Sequence, residues 1–189
     1  MNDKLTKLPH DLPIPKNDGK ASHLLGRQIP NLILPSTKNS FFDLSAIEKK
    51  YGILYFFPMM NMPEKDLPQG WNDIPGARGC TPQNISVTKH IIELEKHDAM
   101  PIGISSQPIA DLEQLSTLRN FSQILVSDNK LEFQKKLNVP VFAVDGNTLY
   151  KRLTLIVKNS KIIKVFYPVF PPDEHIFEIL KWLEKENEN

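Results

Sequence analysis

Cysteine is nearly missing from this chain: Cys80 is the only one in 189 residues. A single sulfhydryl excludes an internal disulfide, and with it the small folds that disulfides staple. It also excludes the vicinal CxxC pair of dithiol redox proteins and any Cys-based metal cluster. The five histidines (His10, His23, His90, His97 and His175) have no metal-ligand spacing, so neither a metal nor another cofactor is expected. Charge of one sign is missing too. A formal net charge of +1 gives no basis for nucleic acid or an acidic membrane as a partner. No run approaches the ~20 apolar residues that span a bilayer. The opening stretch, MNDKLTKLPHDLPIPKNDGK, has charge but lacks the apolar centre of a secretory signal. An unpaired thiol suits a reducing compartment, and a cytoplasmic location is the expectation.

What remains is enough for one domain with a full core. Sixteen prolines imply many turns. Residues 1 to 25, rich in Pro and Lys and without periodicity, are expected to form an N-terminal arm that wraps the surface or lacks fixed order; residues 26 to 189 form the domain. IPNLILPS, from Ile29, predicts a short edge strand between prolines. DLSAIEKKYG predicts a helical turn capped by Asp43 or Ser45 and stopped by Gly52. ILYFFP, ending at Pro58, is a continuous apolar run of the kind found in buried central strands. A loop rich in Pro and Gly follows from Met59 to Gly79, and a connection that long is usually functional or mobile.

CTPQNISVTKHIIELEKHD then predicts one helix, with Thr81 as its cap and Pro82 at its first position. AMPIGISS and QILVSD predict further strands. PIADLEQLSTLRNF predicts a helix with Leu112, Leu115 and Leu118 on one side, and NKLEFQKKLNV another. NTLYKRLTLIVKNSKIIKVFYPV predicts two strands joined at residues 158–161. A closing helix begins near Pro172 or Asp173, with Ile176, Ile179, Leu180 and Leu183 inward. Strands alternating with helices, then a hairpin and a last helix, argue for an α/β fold: a central mixed sheet covered on both faces.

Cys80 is set apart by its surroundings. A structural cysteine usually sits in an apolar run, whereas this one stands between Gly79 and Thr81-Pro82, at the mouth of a helix. The reactive form of a thiol is its thiolate. Two devices favour that anion here: the free N–H groups of a helix N-terminus, and a nearby cation. Arg78 is close in sequence, and Arg152 lies on a late strand expected to pass the site. Thr81 has a hydroxyl to donate. Each has a plain alternative: Thr81 as a helix cap, Arg152 as a solvated strand residue, Arg78 as an exposed residue or a partner of Asp73. The three methionines Met59, Met60 and Met62, and Trp71, are expected to pack the loop.

The order YFFP, then GCT opening a helix, then GISS, LVSD and KRLTLIV resembles a peroxiredoxin of the AhpC/TSA (redoxin) superfamily. IPGARGCTPQ and YKRLTLIV place the resemblance nearest the bacterioferritin-comigratory-protein, or Q-type, branch of bacteria, and it covers most of the chain. It implies a thioredoxin-like fold and thiol-dependent reduction of hydrogen peroxide or organic hydroperoxides. Cys80 matches the peroxidatic cysteine and Arg152 the active-site arginine. Pro58 resembles the proline that ends the central strand, and Gly79 stands beside the reacting sulfur. Three departures are visible. The family's hydroxyl residue three places before the cysteine is Ala77 here. The resolving cysteine five places after it is Ile85. An N-terminal cysteine found near Ala21 or Ser22 in the subgroup is missing. With one sulfhydryl the cycle needs an external thiol: a small thiol, a thioredoxin, a glutaredoxin, or Cys80 of a second subunit in a homodimer. Two alternatives stand beside this expectation: a thiol-disulfide oxidoreductase on the same fold, and a redox-inactive binding or scaffold domain.

Overall fold

The computed structural model describes residues 6–9, 11–63 and 65–188. Residues 1–5 and 10 of the expected arm, His10 included, lie outside the described residues. At the centre is a five-stranded sheet in the order Ile124–Ser127, Ala99–Ser105, Tyr51–Phe56, Leu153–Lys158, Lys161–Phe166. β3 (Tyr51–Phe56), β4 (Ala99–Ser105) and β5 (Ile124–Ser127) run parallel to one another. β8 (Leu153–Lys158) pairs antiparallel with β3, and β9 (Lys161–Phe166) antiparallel with β8. The hairpin between β8 and β9 turns through Asn159 and Ser160, both at positive φ, the backbone that a tight hairpin requires.

Every residue of β3 is buried, and its side chains alternate between two cores as the strand period demands. Tyr51, Ile53 and Tyr55 face one core, Leu54 and Phe56 the other. The first core lies under α1 (Cys80–Lys89), α2 (Ile91–Lys96), α3 (Ile109–Arg119) and α5 (His175–Glu188), through Val87, Leu94, Leu112, Leu115, Ile176, Ile179 and Leu183. The second is closed by α4 (Glu132–Leu137) and by the N-terminal segment, whose Ala21, Leu24, Ile29, Leu32 and Leu34 are buried there. Both faces are covered as expected, but one of them largely by irregular chain rather than by helix. Two small hairpins complete the fold. β1 (Ile33–Pro35) pairs with β2 (Phe41–Asp43), and β6 (Val141–Val144) with β7 (Asn147–Tyr150).

Several expectations need correction. Gly52 does not stop a helical turn; it lies inside β3, where an added Cβ would meet the Ile47 side chain. The turn itself is a single 3-10 turn at Leu44–Ala46, with the Asp43 carboxylate accepting from the Ser45 amide at 2.8 Å. The long helix after Cys80 is two helices. At His90 the backbone leaves helical geometry (φ −109°, ψ 21°), and the ring Nδ1 lies 2.8 Å from the Ser86 carbonyl. A side chain that can bond the backbone of its own helix competes with the ladder. Leu118 is 53 % exposed, so of the three leucines expected inward Leu112 and Leu115 anchor α3, with Ile109 packed beside them. The late segment holds three strands rather than two, because β7 turns back on β6 through Asp145-Gly146, both at positive φ.

Candidate active site

Cys80 is the first residue of α1. Gly79 before it has φ +100°, a left-handed conformation open to glycine, and a Cβ there would run into Pro172 and Leu8. Gly79 therefore sets both the direction of the helix and the close approach of two other segments. The expected cap is wrong: Thr81 and Pro82 are the second and third residues of α1, and no side chain caps its start. The N–H groups of Cys80 and Thr81 are thus left to whatever occupies the space before the helix, while Pro82 has none to give.

Arg152 is brought to the sulfur from the other side. It lies two residues after β7 and just before β8, not on a strand as the spacing suggested. The crossing between the small sheet and the large one is held by the Lys151 amide on the Pro140 carbonyl and by the Val169 amide on the Arg152 carbonyl. Buried to 3 % exposure, the guanidinium donates through Nη2 to Cys80 Sγ at 3.1 Å. It also donates to the carbonyls of Gly76, Ala77 and Arg78 at 3.3, 3.2 and 3.1 Å, and through Nη1 to Gln83 Oε1. No carboxylate pairs with it among the described residues. A buried cation without a carboxylate is costly, and the sulfur is the one partner here that can carry an opposing charge.

Cys80 is 3 % exposed and lines a cavity of about 20 Å³. That is room for about one water-sized molecule. Met59, Leu67 and Trp71 supply apolar wall; Asn61, Arg78 and Lys7 supply polar wall. Thr81 lines it and is itself buried. Arg78 therefore belongs to the site and does not pair with Asp73. The loop from Met59 is tied down rather than loose. Gln107 grips both backbone groups of Met60, at 2.8 and 2.9 Å, and Ser105 Oγ donates to the Pro58 carbonyl at 3.0 Å. Pro58 thus ends β3 behind the site and does not line the cavity. Trp71 and Ala77 are buried in a small core with Leu149, which fixes the segment that presents carbonyls to Arg152.

Beneath the sulfur, the first turn of α1 is anchored by a buried polar cluster. Asn84 Nδ2 donates to the Cys80 carbonyl at 2.9 Å; Asn84 Oδ1 accepts from Tyr55 Oη at 2.8 Å and from Gln123 Nε2 at 3.2 Å. Burial pushes the Tyr55 phenol far up, so it stays a neutral donor. At the start of α5, His175 is buried with Nδ1 2.8 Å from Glu178 and Nε2 3.0 Å from Thr154 Oγ1. Burial, aided by the charge of Arg152, pulls its pKa below the usual histidine value against the raising effect of Glu178.

Cys80, Gly79, Thr81 and Arg152 come together as the residues suggested. Gln83, Asn84 and Lys7 were not singled out. Gln83 and Asn84 stand three and four residues after Cys80, one helical turn on, so spacing alone could have found them. Nothing in sequence links Lys7 to a residue seventy places away.

The redoxin family model matches residues 24–180. A chloroplastic peroxiredoxin Q of Oryza sativa subsp. japonica is 26 % identical over 167 residues, covering 88 % of this chain and 68 % of its own. That of Triticum aestivum is 27 % identical over 164 residues, covering 86 % and 67 %. Among solved structures, the peroxidoxin BcpB of Mycobacterium tuberculosis superposes with a TM-score of 0.69 at 21 % identity, over 85 % of this chain and 96 % of that one. A PrxQ of Xylella fastidiosa also gives 0.69, at 19 % identity over 86 % and 96 %. At such identities the structures establish a shared fold.

Proposed function

The chain belongs to the redoxin family, on its peroxiredoxin Q branch, and is a thiol-dependent peroxidase; from that premise we propose that Cys80 is its peroxidatic residue, working alone. The single observation that carries this is the 3.1 Å contact between Arg152 Nη2 and Cys80 Sγ at the mouth of α1. The guanidinium presents its charge to the thiolate form of the sulfur. The thiolate attacks one oxygen of the peroxide. An S–O bond forms as the O–O bond breaks; the leaving oxygen takes up a proton and departs as water or an alcohol. Sulfur is oxidised by two electrons, the peroxide is reduced by two, and Cys80 becomes a sulfenic acid.

Negative charge grows on the leaving oxygen, and donors fixed beforehand lower that barrier. Arg152 and the N–H groups of Cys80 and Thr81 are assigned that role, with Gly79 giving the backbone its approach. Thr81 lines the same small space, and its hydroxyl is assigned the part of the one missing at Ala77. Pro58 acts by holding the end of β3. The cycle is completed by an external thiol, in a reducing compartment that we take to be the cytoplasm.

Intact-mass measurement after one equivalent of hydrogen peroxide tests this. The native protein should gain one oxygen that a sulfenic-acid reagent traps, and Cys80→Ser should gain none. An unmodified Cys80 thiol under excess peroxide would refute the proposal.

A further inference from the structure

We propose that a second cavity, which Arg152 lines, is a binding site for a small aromatic carboxylate, with Lys16 pairing its charge and Phe142 packing on its ring. This site is distinct from the one at the sulfur. The second cavity, of about 320 Å³, shares no lining residue with the small one that Cys80 lines. Arg152 connects the two, because it lines the larger cavity and reaches Sγ through Nη2 at 3.1 Å. The volume is at the lower end of the range in which proteins hold small ligands, about 300–1,000 Å³.

Charge fixes the sign of the ligand. Three cations, Lys16, Lys151 and Arg152, line this cavity against one carboxylate, Asp18. Asp18 is already engaged, by Lys151 Nζ and Tyr167 Oη, both at 2.7 Å. Lys16 is exposed and forms no ion pair among the described residues. Arg152 is 3 % exposed, has no carboxylate partner among the described residues, and keeps a buried Nε without a hydrogen bond. A guanidinium cannot give up its proton, so a buried one short of counter-charge favours an anion nearby. A wall with one net sign of charge concentrates ions of the other.

The wall also fixes the body of the ligand. Pro15, Ile74, Phe142 and Val169 make it apolar, and Phe142 and Tyr167 each bring a ring. An inorganic anion would leave that surface facing water. A flat apolar body covers it, which is favourable, and contact between rings adds orientation. With its ring against Phe142, the ligand presents its carboxylate to Lys16.

The test titrates the full chain with phenylacetate, phenylacetamide and phenethylamine, followed in its amide NMR spectrum. These three share a ring and a similar length and differ in charge. Phenylacetate should give saturable shifts at Ile74, Gly76, Lys151, Arg152 and Val169. At low ionic strength it should bind about tenfold tighter than the neutral amide, with the amine weaker still. Lys16→Glu takes the wall from two net positive charges to none. The acid should then lose about tenfold in affinity and the amide nothing. Because the amide reports on the cavity of the same variant, a lost charge is told apart from a disturbed fold. Phe142→Ala should weaken acid and amide alike. Five results would each overturn the proposal: no saturation by about 10 mM phenylacetate; equal affinity of acid and amide; an affinity that Lys16→Glu leaves untouched; shifts centred on residues 59–61 and 79–81 in place of these; or displacement of phenylacetate by an equal concentration of inorganic phosphate. None of them depends on the reaction of Cys80 with peroxide.

Discussion

Arg152 carries more of the site than any other residue except the sulfur. Its five hydrogen bonds go to three carbonyls, one amide oxygen and Sγ, so it couples the loop, the helix and the reacting atom through one planar group. A lysine would keep the charge but could satisfy only part of that fork. Removing an oriented donor to a developing oxyanion typically costs about 10²–10³-fold in rate. Arg152→Gln is therefore expected to slow the oxidation of Cys80 by about that factor, with Arg152→Lys in between. The rate can be followed in stopped flow through Trp71, which lines the same cavity. Equal rates in all three proteins would remove Arg152 from the mechanism. At this scale the sequence was informative where chemistry is rare: a lone cysteine in a glycine-proline turn stands out. It was silent about Lys7, whose place at the cavity depends on where the arm is laid down, and misleading about Arg78, which had a ready partner in Asp73 on paper.

Among the elements, α5 and β8 meet through His175. Its ring bonds Glu178 in its own helix and Thr154 in β8, with Phe166 of β9 edge-on at 5.1 Å. Burial lowers its pKa in the fold, whereas the unfolded chain takes up the proton near the ordinary value of about 6.5. The unfolded state thus binds more protons in the window below that value, and stability must fall as pH drops through it. The slope is up to ~1.4 kcal/mol per pH unit until the folded histidine itself protonates. Above about pH 6.5 the contribution is complete. Urea denaturation between about pH 7 and 5 should show this slope, and His175→Gln should flatten it; an unchanged slope would mean that other groups set the acid limit. The order of elements was legible because each strand of the main sheet is a short apolar run and most helices have a periodic face. What escaped were features that depend on tertiary context. The break at His90 rests on a ring bonded to its own helix and stacked edge-on against Phe177. The β6–β7 hairpin has strands of only four residues, although its Asp145-Gly146 turn after the apolar Val141–Val144 run is a hairpin signal in the sequence itself. The cap of α1 was assigned to Thr81 because threonine caps well, whereas the chain needed a left-handed residue two positions earlier, and Gly79 supplied it.

On the scale of the whole molecule, the N-terminal segment makes the site a closed one. Leu8 packs at Gly79, Lys7 stands at the cavity, and Asp18 ties the segment down beside Arg152. The Asp18 carboxylate accepts from Lys151 Nζ and from Tyr167 Oη, both at 2.7 Å. Burial works against its charge, yet these bonds and that of the Lys20 amide hold its pKa well below the usual carboxylate range. The tie is therefore intact across neutral and mildly acid pH. It weakens only as pH falls below the unfolded aspartate value of about 3.9, a window separate from that of His175. Between the tie and the cysteine, the segment bridges a cavity of about 320 Å³ walled by Pro15, Ile74, Phe142 and Tyr167. Pro15 lies against Gly76 within this span, and Asp18 ties its far end. For a half-exposed ion pair a contribution of about 1 kcal/mol is reasonable, which is roughly fivefold in the fraction of molecules with the segment lifted. Asp18→Ala should accordingly speed tryptic cleavage after Lys16 and Lys20 by about that factor, and should speed alkylation of Cys80 by iodoacetamide with it, because Lys7 of the same segment lines the cavity that holds Cys80 and Leu8 packs at Gly79. Faster cleavage without faster alkylation would show that the roof over Cys80 is held by Leu8 and Pro172 alone, and the tie at Asp18 would then have no part in guarding the thiol.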